Sequence, residues 1–197
     1  MASDEPALLN EAIGGNSAAF ESLVRAYQKR AYIVAYGFVG NSEDAVDLAQ
    51  ESFARAYKGL HRFDASLPFY PWFHRIIRNV CLNFLRNKRR HGEISLDNIM
   101  EKGYDPPAGD SPGRNAELNE LSKAIAGAMG KLPHDQREIL VLRHLQEMSY
   151  AEIASCLGIP QGTVMSRLHS ARKNLRGLLE EVRELNIGPR AGARKEE

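Results

Sequence analysis

Residues 149–175 read SYAEIASCLGIPQGTVMSRLHSARKNL. Ser149 followed three residues later by Glu152 is a capping box, in which hydroxyl and carboxylate each take a backbone N–H at a helix start. Two helices crossing closely need a small residue at the crossing, a glycine free to adopt positive φ in the turn, and a branched apolar anchor beyond it. Ala154, Gly158 and Val164 stand at those separations, with Ile153, Leu157, Ile159, Leu168, Ala171 and Leu175 as the shared core. The segment is predicted to be a helix-turn-helix. Its second helix turns Gln161, Gly162, Thr163, Ser166, Arg167, Ser170 and Lys173 outward. The amino end can reach base edges, and Arg167 suits a bidentate contact to guanine. Arg172, Lys173 and Arg176 can meet phosphates, although a solvated charged face accounts for each of the three equally well.

Upstream the pattern stays helical. Phe20, Leu23, Val24, Tyr27, Ala31, Val34, Ala35 and Phe38 recur at steps of three and four, predicting a helix that starts after Asn16-Ser17. Gly40-Asn41-Ser42 ends it and caps the next, which runs to about Leu60 with Ala45, Ala49, Phe53 and Ala56 inward. A turn-prone stretch, Asp64 to Tyr70, leads to Pro71 as a first helical residue. The third long helix buries Trp72, Phe73, Ile76, Ile77, Val80, Cys81, Phe84 and Leu85, and a short helix near Leu8 completes a bundle. From His91 to Asn115 glycine, proline and acidic residues break the pattern. A helix from Leu118 to Met129 follows, stopped by Gly130 and Pro133, and Asp135-x-x-Glu138 reads as another capping box. No strand signal of any strength occurs. The expected class is all-α: two small helical domains joined by a flexible linker, with bounds 1–91, 92–116 and 117–185 and a disordered tail 186–197.

Composition narrows the function. The formal net charge is only +1, yet charge is unevenly spread. No acidic residue occurs from Ala65 to Gly92, where Arg75, Arg78, Arg86, Lys88, Arg89 and Arg90 fall, and none from Ile153 to Leu179. Two basic surfaces on a neutral chain suit two contacts with a polyanion. The acidic N-terminus has no signal-peptide order and no apolar run is long enough to span a bilayer, which predicts a soluble cytoplasmic protein without membrane insertion. Cys81 and Cys156 lie far apart within apolar stripes and read as buried reduced thiols. The histidines pair with nothing, no glycine loop cradles phosphate, and carboxylates do not cluster for metal. No catalytic residue, metal, cofactor or small-molecule substrate is therefore expected. A recombinase or nuclease is disfavoured, and a stand-alone helix-turn-helix regulator is the main competing reading.

Leu132-Pro133-x-x-x-Arg137-Glu138, Ser149-Tyr150-x-Glu152-Ile153-Ala154 and Gly162-Thr163-Val164-x-Ser166-Arg167-Leu168-x-x-Ala171-Arg172 closely resemble region 4 of extracytoplasmic-function sigma factors of bacterial RNA polymerase, in the sigma-70 family. Ala19-Phe20-x-x-Leu23-x-x-x-Tyr27, Asp44-Ala45-x-Asp47-Leu48-x-Gln50-Glu51-x-Phe53 and Trp72-x-x-Arg75-Ile76-x-x-Asn79 are similar to region 2. The resemblance implies a non-enzymatic protein that brings core RNA polymerase to promoter DNA and promotes strand opening, held in check by an anti-sigma factor. It implies that Asp47, Gln50 and Glu51, off the apolar face of the second helix, bind core polymerase. It further implies that Arg75, Arg78, Asn79, Asn83 and Arg86, with Phe69 and Tyr70 as stacking rings, take melted promoter DNA. Met165 and Ser170 stand where relatives often carry a basic residue, so the upstream element does not transfer from them. The acidic linker, running through the polymerase's channels as family linkers do, would mimic nucleic acid there.

Overall fold

The structure is a computed structural model, and it describes residues 5–90 and 124–187. Every regular element among them is helical. The first half comprises α1 (Glu5–Ile13), α2 (Ser17–Val39), α3 (Ser42–Gly59), a 3-10 turn at Leu60–Arg62, and α4 (Phe69–Arg90). In the second half, α5 (124–131) precedes α6 (His134–Leu140), which winds into a π-helical turn at Val141–Leu145. Then come α7 (Tyr150–Leu157) and α8 (Gln161–Ile187).

Local chemistry sets the boundaries. The Asn16 side chain accepts from the Ala18 and Ala19 amides at 3.0 and 3.3 Å, starting α2. Gly40 ends that helix at φ +66°, a left-handed value that a side chain would oppose, and Asn41 caps α3 through the Asp44 amide. α4 begins two residues before Pro71, which sits in its first turn. Aromatic rings fill the space between α2, α3 and α4: Phe53 lies 4.5 Å from Phe73, and Phe69 lies 5.3 Å from Tyr27. Trp72 and Phe84 are only partly buried against this core. Both cysteines are buried free thiols, and burial pushes each up to about 12.

The two halves are docked on each other over one continuous apolar core, which runs from Leu9 to Ala171. The two small helical domains expected from the sequence are both present, and they meet along a seam. α4 packs on α7, and α2 packs on α6 and the π turn. A Cβ on Gly37 would come 2.8 Å from the Val141 Cγ2 methyl, so glycine in mid-helix lets the halves close to contact. Arg137, 5 % exposed, sits at the seam and donates to five carbonyls. Three belong to the end of α5 and the turn after it (Met129, Gly130 and Leu132), and two to the last turn of α2 (Gly37 and Phe38). Its charge is met by the negative ends of two helices.

The expected capping box at Asp135-x-x-Glu138 does not form. α6 starts at His134 after Pro133, with no side-chain cap. Both carboxylates turn to the seam instead. The linker 92–116, residues 118–123 of the expected Leu118–Met129 helix and residues 188–197 of the expected tail lie outside the described residues, while Asn186 and Ile187 continue α8.

Candidate nucleic-acid interface

The helix-turn-helix forms as its residues require. Ser149 accepts from the Glu152 amide at 3.2 Å while Glu152 accepts from the Ser149 amide at 2.7 Å. That reciprocal bonding holds the Glu152 carboxyl below its usual range. Gly158 takes φ +65° in the turn, and Val164, Leu168 and Ala171 are fully buried beneath α8. Gln161, Gly162, Ser166, Ser170, Arg172, Lys173 and Arg176 are exposed along α8, with Thr163 and Arg167 half-buried. The structure thus brings the expected duplex-contact residues onto one helix. Arg172 lies 3.4 Å from the His144 ring. Met165 stands out at 56 % exposure among them. Its signal was an apolar residue at a solvent position.

On α4, Arg75, Asn79, Asn83 and Arg86 are exposed along the stripe opposite the core. Arg86 donates to the Asn83 side chain at 3.1 Å, which orients that amide. Arg78 is different. It bonds Glu138 and Asp135 of α6, both at 3.1 Å. Arg75 also faces the second half, its guanidinium 3.5 Å from where a Cβ on Gly158 would stand.

The two expected stacking rings are not open. Phe69 is wholly buried among Phe63, Trp72 and Phe73, inside the first half's own core. Phe69 is therefore a core residue, because the start of α4 turns it inward. Tyr70, 5 % exposed, is covered by the second half: its hydroxyl bonds the Gln146 side chain, and the Arg30 guanidinium lies 3.6 Å over its ring. Arg30 reaches Gln146 as well, at 3.1 Å.

Asp47, Gln50 and Glu51 are exposed on α3, away from the bundle, with Glu51 paired to Arg55 at 2.6 Å. Val46, 44 % exposed, lies beside them and was not singled out from the sequence. An apolar side chain on a polar helix face was the available signal.

At the centre of the seam, His74 is wholly buried, with Nε2 3.6 Å from Glu138 Oε1. Burial is the leading influence on both. It lowers His74 to about 4, helped by Arg78, Arg30 and Arg75, and raises Glu138 to about 7 despite the nearby Arg78. Burial disfavours the charged form of each, and at Glu138 the Arg78 guanidinium works against it. Among the described residues no cluster of His, Cys, Asp and Glu could hold a metal ion, and no helix is long and apolar enough to cross a membrane.

A helix-turn-helix behind a helical bundle with its own basic stripe defines a two-part, all-helical promoter-recognition protein. Residues 23–91 match the family model for sigma-70 region 2, and residues 122–175 match that for sigma-70 region 4. The ECF RNA polymerase sigma factor SigW of Bacillus subtilis is 33% identical over 173 residues, covering 85% of this chain and 92% of the relative. SigE of Mycolicibacterium smegmatis is 35% identical over 182 residues, covering 90% of this chain and 69% of the relative. The chain belongs to the extracytoplasmic-function sigma factors of bacterial RNA polymerase. That family regulates transcription rather than catalysing a reaction, and a match to both regions in order sets aside the stand-alone regulator. Among solved structures, CnrH in complex with the cytosolic domain of CnrY superposes with a TM-score of 0.66 at 26% identity, covering 91% of this chain and 99% of that one. The sigma factor RpoE in complex with the anti-sigma factor NepR from Bartonella quintana gives 0.64 at 25%, covering 82% and 96%.

Proposed function

We propose that this chain directs core polymerase to promoters through three surfaces. The α3 face of Asp47, Gln50 and Glu51, extended by Val46, docks on the polymerase. The α4 stripe of Arg75, Arg78, Asn79, Asn83 and Arg86 takes the melted strand. The α8 face from Gln161 to Arg176 takes the upstream duplex. The observation that carries this reading is the charge of each set on its own helix: acidic and amide-bearing on α3, and free of acidic residues along α4 and along α8 from Gln161 to Arg176. Acidic side chains suit a basic partner, and the arginines suit phosphates and guanine. Met165 would meet a thymine methyl where a basic residue would have met an anion. No chemistry of its own is assigned to the chain, and its place of action is the cytoplasm, beside the polymerase. RpoE of Bartonella quintana was solved with an anti-sigma factor, which supports an antagonist of that kind here. The test is run-off transcription with purified core polymerase on a genomic fragment library. Discrete start sites dependent on this protein are expected, and none at all would overturn the reading.

A further inference from the structure

The buried side of α8 fixes which of its residues point away from the protein. Val164, Leu168 and Ala171 are fully buried. At about 100° per residue, the opposite ridge runs through Gly162, Ser166 and Lys173, with His169 and Ser170 on its shoulders. The flanks of the helix are engaged by neighbouring elements. On one side Arg167 lies 3.9 Å from Asp135, and Asn174 donates to Gln136 at 2.9 Å. On the other, Arg172 lies 3.4 Å from the His144 ring. On the ridge, Ser166 spends its hydroxyl proton on the Thr163 carbonyl at 3.1 Å, and Gly162 has no side chain. His169 is exposed, and its ring has no hydrogen-bond partner among the described residues. It is the first long side chain from the amino end of this ridge that can extend a free donor, with Met165 one turn before it.

We propose that His169 reads the upstream element, its ring N–H donating to the N7 of one purine in the major groove. This deepens the assignment of α8 as the duplex surface and rests on it. Both purines present N7 there as an acceptor and neither pyrimidine does, so a single donor selects purine over pyrimidine at one position. An imidazole always offers at least one N–H. Gly162 and Ser166 add little bulk ahead of the ring, so the helix can sit deep enough for it to reach base edges. Phosphates line the walls of the groove, toward which the flanking Arg172 points.

The full chain bound to core polymerase is tested on a promoter identified by run-off transcription. Each purine of the protected upstream duplex is replaced in turn by its 7-deaza analogue, which keeps base pairing and loses the N7 acceptor. His169→Ala is expected to weaken closed-complex binding by about three- to tenfold, as the loss of one hydrogen bond would. One 7-deaza purine should weaken binding of the parent by a similar factor and leave that of the variant unchanged, because the contact is already gone. His169→Gln, which keeps an N–H at comparable reach, should recover part of the affinity. His169→Phe, which keeps a ring without the donor, should not. Circular dichroism should match the parent in all three, since the position is exposed. Full affinity in His169→Ala overturns the proposal. So does a loss that no single 7-deaza purine removes, which would make His169 a contact to phosphate instead. If the parent protects no upstream duplex, the assignment of α8 falls first and takes this proposal with it.

Discussion

The Arg78 guanidinium bonds the Glu138 carboxylate at 3.1 Å across 60 residues of chain, and the Glu138 side chain is only 3 % exposed there. This pair joins α4 of one half to α6 of the other. Its carboxylate has a second neighbour in His74, and the two titrate in opposite senses.

Folded Glu138 keeps its proton to about pH 7, whereas the unfolded carboxyl loses it near 4.5. Between those values the folded chain binds more protons, so this group's contribution to stability falls as pH rises. Folded His74 stays neutral down to about pH 4, but the unfolded ring takes a proton near 6.5, so its contribution rises with pH over that span. The two oppose each other between 4.5 and 6.5. Glu138→Gln should therefore show a Tm that climbs more steeply from acid pH than the parent's. His74→Asn should show one that falls toward pH 7. Arg30, Arg75 and Arg78 facing His74, and Asp135, Arg78 and Arg167 facing Glu138, are kept in both variants. Profiles parallel to the parent in both would remove the pair from the account.

Arg137→Ala would strand five carbonyls at two helix ends, and each unsatisfied buried group costs about 1–3 kcal/mol. Water entering the gap recovers part of this, so a loss of about 3 kcal/mol or more in urea unfolding is expected. Arg137→Lys, with three donors instead of five, should recover only part. Loss below about 1 kcal/mol would mean that the cap is dispensable.

Reversing Asp47 and Glu51 to Lys should abolish co-purification with core polymerase and leave circular dichroism unchanged, because both side chains point away from the bundle. Val46→Ser should weaken co-purification without abolishing it. Full retention by the charge-reversed protein would take this face out of polymerase binding.

Arg167→Ala should weaken duplex binding by about 1–3 kcal/mol at one base pair and relax the choice there. Arg176→Ala should instead lower affinity for all sequences alike and flatten the salt dependence. If Arg167→Ala lost affinity equally on every sequence, base reading would belong elsewhere on α8.

Asn79 and Asn83 are one turn apart on α4 and both exposed. A group that reads a base only once it is unpaired matters little to closed complexes and greatly to opening. Asn79→Ala with Asn83→Ala should leave closed-complex binding nearly intact while permanganate reactivity at the start site disappears. A pre-melted bubble should restore part of the activity. Opening of intact promoters at the parent's level would pass the single-strand role to other residues.

The sequence by itself determined what depends on neighbours a few positions away. Asn16, Gly40 and Asn41 set the ends of α2 and the start of α3, and Ser149, Glu152 and Gly158 set the helix-turn-helix, because capping and left-handed turns act within four residues. The apolar periodicity that chose the buried faces is equally local, and so the class, the order of the helices and the exposed sides of α3, α4 and α8 were legible. Tertiary structure alone decided the seam. Asp135-x-x-Glu138 has the spacing of a cap, yet both carboxylates answer an arginine 57 and 60 residues away. Tyr70 looks like an available ring until Gln146 covers it, and Gly37 looks like a helix defect until Val141 meets it. Each of these side chains has a good local explanation and a better distant one. Helical pattern reports which face of a helix is apolar; which second helix lies against it is settled by shape and charge brought together only on folding.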